Sequence, residues 1–226
     1  MNRENNIKII VATHKKYNMP KDEMYIPLNV GAEGKEDLGY AKDNTGDNIS
    51  KKNPYFCELT GVYWAWKNLR ADYIGLAHYR RHFSLKKKSK NKFDNVLSLD
   101  ETKKILKNTD VILPKKRRYF IENLYGHYAH TMYVEPLDVA GKIIEERYPE
   151  YLKYFNKLHT RTSAHMFNMF IMKKELYHAY CEWLFPVLQQ VEKKIDTSKM
   201  TPYEARFMGR ISELLLDVWL EHNHIV

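Results

Sequence analysis

The sequence predicts an α/β protein with a mostly parallel central sheet flanked by helices. Short apolar segments alternate with longer segments in which apolar residues recur every three or four positions. The short segments are typical of strands covered on both faces, as in parallel sheets. The longer ones are typical of helices that bury one face. With 226 residues, the chain is long enough for one domain with a substantial core.

The central predicted strand spans residues 72–77. Four of its residues are apolar, and Gly75 leaves room for a neighbouring backbone to approach closely. The other segments predicted to be extended are residues 7–12, 24–30, 110–114 and 163–172.

The predicted helices begin at recognisable signals. Asn53 is a suitable N-cap and Pro54 suits the first helical position, which predicts a helix continuing to Leu69. Further helices are predicted at residues 99–108, 135–147, from 148 onwards, 175–194 and 205–223. Residues 17–52 are rich in Gly, Asn, Asp and Pro and are predicted to form a long loop around one short extended piece.

The net charge of +9 favours a polyanionic partner, either nucleic acid or an anionic membrane surface. Much of the charge lies in two runs, Lys86–Lys92 and Lys115–Arg118, and the alternative is that both are solvated loops. A nucleic-acid-binding module is the weaker hypothesis because no nucleic-acid motif is present and the charge is concentrated in two loops.

The sequence predicts a cytoplasmic protein. No apolar run is long enough to cross a bilayer, and residues 1–6 lack the apolar segment of a signal peptide. Cys57 and Cys181 lie in apolar helical patterns and are expected to be buried thiols. Attachment to the inner face of the plasma membrane through the basic runs is a further hypothesis.

Polar residues directly follow the central strand: His78, Arg80, Arg81 and His82. In open α/β sheets, ligands bind beyond the carboxyl ends of strands, so four donors there predict an anion site, with a phosphate ester as first candidate. The alternative is that the arginines pair with carboxylates and His78 is a core histidine.

Several common sites are absent from the sequence. There is no Walker loop, Gly-x-Gly-x-x-Gly fingerprint, Gly-x-Ser-x-Gly elbow, Cys-x-x-Cys or His-Glu-x-x-His motif. There is also no Asp-x-Asp triplet. Any bound phosphates would therefore have to be neutralised by Arg, Lys and His side chains.

Two further regions carry candidate ligand contacts. The segment 119–133 holds His127 among several tyrosines, which suits a polar, ring-shaped ligand but also an ordinary loop over a core. A buried Asn168 would either satisfy the backbone or hold a ligand hydroxyl. Arg210 and Glu213 share a face near the start of the last helix.

Long motifs of this sequence resemble one known family, the capsular and exopolysaccharide biosynthesis proteins formerly described as a domain of unknown function. The resemblance covers nearly the whole chain, and some members of that family are described as galactofuranosyltransferases. The motifs are Asp43–Ser50, Asn53–Trp66, Tyr73–Phe83, Asn168–Met172 and Tyr180–Phe185.

This resemblance implies a GT-A-like, Rossmann-like fold in a single glycosyltransferase domain, residues 1–226. A nucleotide-sugar half would span about 1–115 and an acceptor half about 116–226. The implied reaction is inverting transfer of a sugar, with galactofuranose suggested by those members, from a UDP-sugar donor to a glycan or lipid-linked acceptor. The alternative is a non-catalytic, sugar-nucleotide-binding partner of another transferase.

The resemblance also implies positions for the donor. In GT-A enzymes an Asp-x-Asp triplet follows the strand that corresponds to residues 73–77, and His78-Tyr79-Arg80 stands there in this chain. We therefore expect metal-independent binding and no cofactor, with a divalent cation as the alternative. The residues expected to bind the nucleotide and its diphosphate are Thr13, His14, Lys15, His78, Arg80 and Arg81.

Inverting transfer needs a carboxylate that takes the proton of the acceptor hydroxyl. Glu213 is the first candidate because GT-A enzymes often place this acid on the helix after the second sugar-contacting strand, and Glu58 is the second. The alternative for Glu213 is a salt bridge to Arg210 or Arg206. The residues expected to contact sugar or acceptor are Asp43, Asp47, His127, His165, Asn168 and Arg210.

Overall fold

The computed structural model describes residues 5–85, 89, 91–198 and 200–225, so most of the Lys86–Lys92 run lies outside the described residues. The chain forms two compact units. The first comprises Met1–Asn53, Glu58–Pro114 and Met169–His178, and the second comprises Pro54–Cys57, Lys115–Asn168 and Ala179–Val226. The division into a nucleotide-sugar half and an acceptor half stays a prediction.

The described strands are β1 (Ile7–Thr13), β2 (Tyr25–Asn29), β3 (Ala41–Lys42), β4 (Tyr73–His78), β5 (Val111–Ile112), β6 (Arg117–Arg118), β7 (Ser163–Ala164) and β8 (Phe170–Lys173). The first unit contains a six-stranded sheet in the order β3-β2-β1-β4-β8-β5. Neighbours from β3 to β4 are parallel, whereas β8 is antiparallel to both β4 and β5. The expected mostly parallel central sheet is confirmed.

The centre of this sheet is the pair β1 and β4. They align from Ile7 opposite Tyr73 to Ala12 opposite His78, so their carboxyl ends lie at the same edge. Nearly all residues of both strands are buried, as their apolar runs predict. The close approach predicted at Gly75 is also confirmed, because a Cβ there would lie 2.9 Å from the Phe170 carbonyl oxygen.

The described α-helices are α1 (Asn53–Phe56), α2 (Leu59–Asn68), α3 (Leu99–Ile105), α4 (Leu124–Thr131), α5 (Glu135–Arg147), α6 (Pro149–Phe155), α7 (Lys174–Lys194) and α8 (Phe207–His222). Four short 3-10 helices join them, at Ser50–Lys52, Lys92–Asn95, Asn156–His159 and Glu204–Arg206. Local chemistry explains several helix starts. Ser98 and Glu101 form a reciprocal capping box that begins α3.

Two continuous elements predicted from the sequence are interrupted in the structure. The helix predicted from Asn53 breaks at Cys57, and the strand predicted over 163–172 breaks at Phe167 and Asn168. All three residues have a positive φ, of 51°, 74° and 54°, which neither a helix nor a strand accommodates. Non-glycine residues adopt this conformation seldom, so the apolar pattern alone suggested unbroken elements.

The second unit is organised around α8, which is buried over most of its length, from Phe207 to Leu220. It packs against α5 and α6. The Tyr151 ring stacks on Trp183 at 4.8 Å and on His222 at 3.7 Å between ring centroids. Strands β6 and β7 form a separate antiparallel ribbon in this unit.

Both cysteines are buried and neither forms a disulfide, as expected. No helix in the described part of the chain combines the length and the apolar character needed to cross a membrane.

Candidate functional site

In the first unit, basic side chains gather around Tyr79 at the edge where β1 and β4 end. The ring of Tyr79 lies 5.3 Å from the His14 ring between centroids, and its centroid is 5.5 Å from Lys15 Nζ and 5.1 Å from Arg80 Cζ. Tyr17 packs edge-on against the same ring at 5.1 Å. We name His14, Lys15, Tyr79 and Arg80 the Tyr79 cluster. It unites predicted donor-binding residues from two separate parts of the sequence.

Backbone hydrogen bonds fix this cluster to the sheet. The Tyr79 N–H donates to the carbonyl of Ala12 at 3.2 Å, which ties the end of β4 to the end of β1. His78 and Arg81 exchange two N–H···O bonds of 3.0 Å, which makes a tight turn. Thr13 is buried, and its hydroxyl donates to the carbonyl of Lys15 at 2.7 Å. Thr13 therefore shapes the loop that carries His14 and Lys15.

The guanidinium of Arg80 is exposed and lies against the Tyr79 ring. Among the residues that the structure describes, no ion pair joins Arg80 to a carboxylate. Arg81 is also exposed, and His78 is half-buried beside it. An exposed guanidinium held on an aromatic face is available to an anionic ligand.

His82, the fourth donor of the predicted anion site, has a different environment. Its ring lies 6.3 Å from Tyr25 and 5.8 Å from Phe93, and both ring nitrogens are buried. Burial, together with the nearby His78, lowers the pKa of His82. The structure therefore places the His82 ring in an aromatic cluster with Tyr25 and Phe93, whereas Arg80 and Arg81 are exposed.

Asp43 and Asp47 lie in the long loop of the first unit. Asp43 is fully buried, and its carboxylate accepts hydrogen bonds from the N–H groups of Gly31 at 2.7 Å and Ala32 at 3.0 Å. The Ser50 hydroxyl donates to the same carboxylate at 2.5 Å. Because both oxygens are engaged inside the loop, Asp43 organises the loop rather than presenting a charge.

Asp47 accepts a hydrogen bond from the Tyr63 hydroxyl at 3.2 Å. Its backbone is held by the Asn68 side chain, so the loop is fastened to α2. Glu58, the second candidate for the catalytic base, lies directly before α2 and is half-buried.

A cleft in the first unit has a volume of about 660 Å³. Two aspartates line it, and both carboxylates accept hydrogen bonds from neighbouring groups. Asp22 accepts from the N–H groups of Met24 and Leu99, and Asp94 accepts from the side chains of Ser89 and Asn91. The cleft contains none of the predicted donor-binding residues, and its carboxylates are unsuited to a diphosphate.

The second unit contains a smaller cavity of about 220 Å³, which we name the α4–α8 cavity. Glu213, Arg210 and His127, all predicted site residues, line it together. The remaining lining residues are Arg117, Tyr119, Leu124, Tyr128, Thr131, Met132, Met166, Phe167, Tyr203 and Leu214.

The carboxylate of this cavity belongs to Glu213, which is 5% exposed. Its Oε1 lies 3.7 Å from Arg210 Nη1, so the ion pair considered as an alternative is present in a loose form. Arg206, the other arginine of that alternative, donates to Cys57 Sγ at 3.3 Å. Burial raises the pKa of Tyr119; the charge of Arg117 opposes this increase, and the charge of Glu213 adds to it.

Aromatic rings form the rest of the wall. Tyr119 and His127 lie 4.0 Å apart between ring centroids, and Glu122 orients His127 through a 3.2 Å contact with Nδ1. The Tyr128 hydroxyl is buried without a hydrogen-bond partner among the described residues. Burial raises the pKa of Tyr128 far above its ordinary value, so the phenol keeps its proton. Such a wall offers ring faces and a free hydroxyl to a polar ligand.

His165 and Asn168 do not line this cavity. They lie on either side of Met166 and Phe167, which do line it. His165 Nδ1 lies 2.6 Å from Asp217 Oδ1, and the His165 N–H donates to Oδ2 at 2.9 Å. Asn168 donates to the Gly209 carbonyl at 3.0 Å and accepts from the Ser212 hydroxyl at 2.9 Å. The Asn168 side chain therefore makes hydrogen bonds within the protein, as in the first of its two alternatives.

Asp217 therefore holds His165 in place, next to the lining residues Met166 and Phe167. It is fully buried, and Lys116 Nζ lies 3.9 Å from its Oδ1. Burial opposes ionisation, but the hydrogen bonds and charge of His165 outweigh it, and the pKa of Asp217 is lowered.

No group of three or more His, Cys, Asp or Glu side chains is placed to hold a metal ion within the described ranges.

Comparison with known proteins gives one family match, to a domain of unknown function, DUF4422, over residues 8–224. The chain belongs to this family. Among solved structures, the DUF4422 chain is similar to the apo structure of WbbM, a bifunctional glycosyltransferase, with 32% identity and a TM-score of 0.89. The match covers 97% of this chain and 43% of the WbbM chain. No curated protein matches.

This likeness confirms the expected fold class, because the six-stranded, mostly parallel sheet flanked by helices matches a glycosyltransferase fold. Several residues at the two candidate sites were not named as predicted site residues: Tyr79, Arg117, Tyr119, Tyr128 and Asp217. One signal was available for Asp217. It lies four residues after Glu213 on the same helix, a spacing that places both carboxylates on one face.

Proposed function

We propose that the chain is a glycosyltransferase that moves a sugar from a UDP-sugar to a glycan or lipid-linked acceptor. The likeness to WbbM supports transfer of a sugar in general. Galactofuranose as the sugar, and capsular or exopolysaccharide synthesis as the setting, are the finer parts of the proposal and rest on the motif resemblance.

The Tyr79 cluster supports the donor part of the proposal. Lys15 and Arg80 bring two positive charges to the carboxyl ends of parallel strands, where α/β proteins commonly bind nucleotides. A guanidinium can offset the charge that develops on a leaving diphosphate as a divalent ion would. We therefore propose binding that needs no metal, with Arg80 and Lys15 on the diphosphate and His14 and His78 beside it.

The α4–α8 cavity supports the acceptor part, and Glu213 is the observation on which the proposal chiefly rests. A base must reach the acceptor hydroxyl and remain shielded from bulk water, and a carboxylate at 5% exposure inside a cavity meets both needs. Arg210 at 3.7 Å favours the ionised, proton-accepting form of Glu213.

The cavity also suits one sugar ring. Its volume of about 220 Å³ is below the ~300–1,000 Å³ of pockets that hold drug-sized ligands. Tyr119 and His127 supply ring faces on which a sugar can pack, and the Tyr128 hydroxyl can bond a sugar hydroxyl. We propose that the last sugar of the acceptor enters here.

The direct test incubates the protein with UDP-galactofuranose and other UDP-sugars and with saccharide acceptors, in excess EDTA. The expected result is release of UDP together with a product heavier by one sugar. UDP binding without turnover for any donor would instead identify a non-catalytic binding partner. Activity abolished by EDTA and restored by a divalent ion would overturn the metal-free part alone.

A further inference from the structure

The most exposed large apolar side chains of the described chain are neighbours, Phe120 at 88% exposure and Ile121 at 97%. They form the tip of a loop in the second unit. Leaving two such side chains in water forgoes the stabilisation that their burial would give, so a pair at one tip indicates contact with something outside the chain.

Hydrogen bonds hold this tip in place from both sides. The Tyr119 N–H donates to the Thr162 carbonyl at 2.7 Å, and the Leu124 N–H donates to the Arg161 carbonyl at 2.8 Å. Asn123 caps α4 and also donates to the His159 carbonyl at 2.8 Å. The loop is therefore a braced projection that carries Phe120 and Ile121 at its end.

Four consecutive basic residues, Lys115–Arg118, precede the tip, and all four are exposed. Arg117 and Arg118 form β6, whose pairing with β7 fixes the direction of the run. The carboxylate of the adjacent acid, Glu122, is directed at the Nδ1 atoms of His127 and His130, at 3.2 and 3.0 Å. The surface thus combines a basic stripe with an apolar tip.

We propose that residues 115–121 form a membrane-binding loop that docks on an anionic lipid bilayer, with Phe120 and Ile121 inserted between headgroups. The basic stripe is attracted by the negative surface potential, and the tip then buries its apolar area. A nucleic acid offers much less apolar surface than a bilayer in which Ile121 could be buried. A second copy of the chain would bring two basic stripes together, which is unfavourable.

The position of the loop also bears on the acceptor, and this part of the proposal rests on the proposed function. Arg117 and Tyr119 line the α4–α8 cavity, and they immediately precede the tip. Docking would therefore bring the cavity to the lipid surface. This points to an acceptor that is anchored in the bilayer, a lipid-linked saccharide rather than a free glycan.

The experiment is co-flotation of the whole chain with vesicles, either phosphatidylcholine alone or phosphatidylcholine mixed with phosphatidylglycerol. We expect binding to the anionic vesicles only. The double variant Phe120→Ser, Ile121→Ser should weaken it by about tenfold or more, because two apolar insertions are lost. Lys115→Gln with Arg118→Gln should weaken it at low salt and reduce its dependence on salt.

A matched control is Lys142→Gln with Arg147→Gln, which removes two charges from α5 and should leave vesicle binding unchanged. Thermal melting of each variant verifies folding, since Phe120 and Ile121 contribute little to the core. Failure of the wild type to float, or floating unaffected by the Phe120/Ile121 change, would overturn the proposal. So would self-association or RNA binding that depends on the same two residues.

Transfer assays separate this inference from the proposed function. With a water-soluble acceptor, the Phe120→Ser, Ile121→Ser variant should release UDP at the wild-type rate, and with an acceptor embedded in vesicles it should be slower. Absence of UDP release from the wild type would contradict the proposed function, whereas vesicle binding would be unaffected by that result. Equal slowing with both acceptors would contradict the docking role.

Discussion

The Tyr79 cluster and the α4–α8 cavity differ in their exposure and in the charge that they present. The cluster carries exposed cations around one aromatic ring. The cavity carries a buried carboxylate and is supported by hydrogen bonds to α8. Exposed cations suit a ligand recognised by its charge, which must enter and leave. A buried carboxylate suits proton transfer, where position decides the rate.

This contrast predicts that cavity substitutions will act on turnover and on folding, whereas cluster substitutions will act on donor affinity. The largest effect is expected for Glu213→Gln, which keeps the side-chain shape but cannot accept a proton. Transfer should fall by about 10²–10⁴-fold. UDP affinity, measured by calorimetry, should stay unchanged. The matched control Glu146→Gln, on the exposed side of α5, should transfer at the wild-type rate, and a near-normal rate for Glu213→Gln would remove Glu213 from the mechanism.

The second effect concerns the support behind the cavity wall. Asp217→Asn removes the charge that holds His165 and the turn containing Phe167. Breaking one partner of a buried, hydrogen-bonded pair should lower the free energy of unfolding by about 3 kcal/mol. Chemical denaturation measures this, with Asp196→Asn, at an aspartate outside the core, as the control. Equal stability of wild type and Asp217→Asn would show that the pair adds nothing.

The pair of His165 and Asp217 should also make the free energy of unfolding depend on pH. The folded-state pKa of Asp217 lies below its ordinary value of 3.8, so its contribution is complete above that value and is lost as the pH falls through the folded-state pKa. The wild type should therefore lose its advantage over Asp217→Asn in strongly acidic solution. Melting temperatures of both proteins across the acidic range measure this, and parallel curves would contradict it.

The third effect, on donor affinity, is smaller. Arg80→Ala should weaken UDP binding by about tenfold to a hundredfold, because a charge-assisted hydrogen bond to the diphosphate is lost. Arg80→Lys should restore part of the affinity, since it returns the charge without the planar fork. Arg147→Ala, an exposed arginine on α5, is the control. Unchanged UDP affinity in Arg80→Ala would rule out its proposed role.

The smallest effect is expected for a change of the Tyr79 ring, which contacts the other members of the cluster. Tyr79→Leu keeps an apolar side chain under Lys15 and Arg80 but removes the attraction between cation and ring. UDP affinity should fall by about twofold to fivefold, as expected for exposed cation–π contacts. A loss as large as that of Arg80→Ala would mean that Tyr79 itself touches the ligand.

The sheet edge at which β1 and β4 end was predictable from the sequence because the relevant information is local. The apolar runs at 7–12 and 72–77 are continuous, and the polar residues after them must emerge at the ends of strands. Glu213 was named from the family resemblance, which implies an acid on this helix, and the structure shows that Glu213 lines the α4–α8 cavity.

The remaining features depend on contacts that are distant in sequence. The breaks at Cys57 and Phe167 require backbone conformations that residues of these types seldom adopt, so no sequence pattern predicts the breaks. The pair of His165 and Asp217 joins residues 52 positions apart. Asp43 was expected near a sugar, but buried N–H groups of its own loop take up its oxygens. These hydrogen bonds of Asp43 form only in the folded loop, so the sequence does not predict them.

The most direct measurement of the donor site is a crystal structure of the chain with UDP bound in the presence of EDTA. We expect the diphosphate within hydrogen-bond distance of the Arg80 guanidinium and Lys15 Nζ, next to Tyr79. A diphosphate bound elsewhere, such as in the cleft lined by Asp22 and Asp94, would contradict the donor-binding role of the Tyr79 cluster. So would absence of binding until a divalent ion is added.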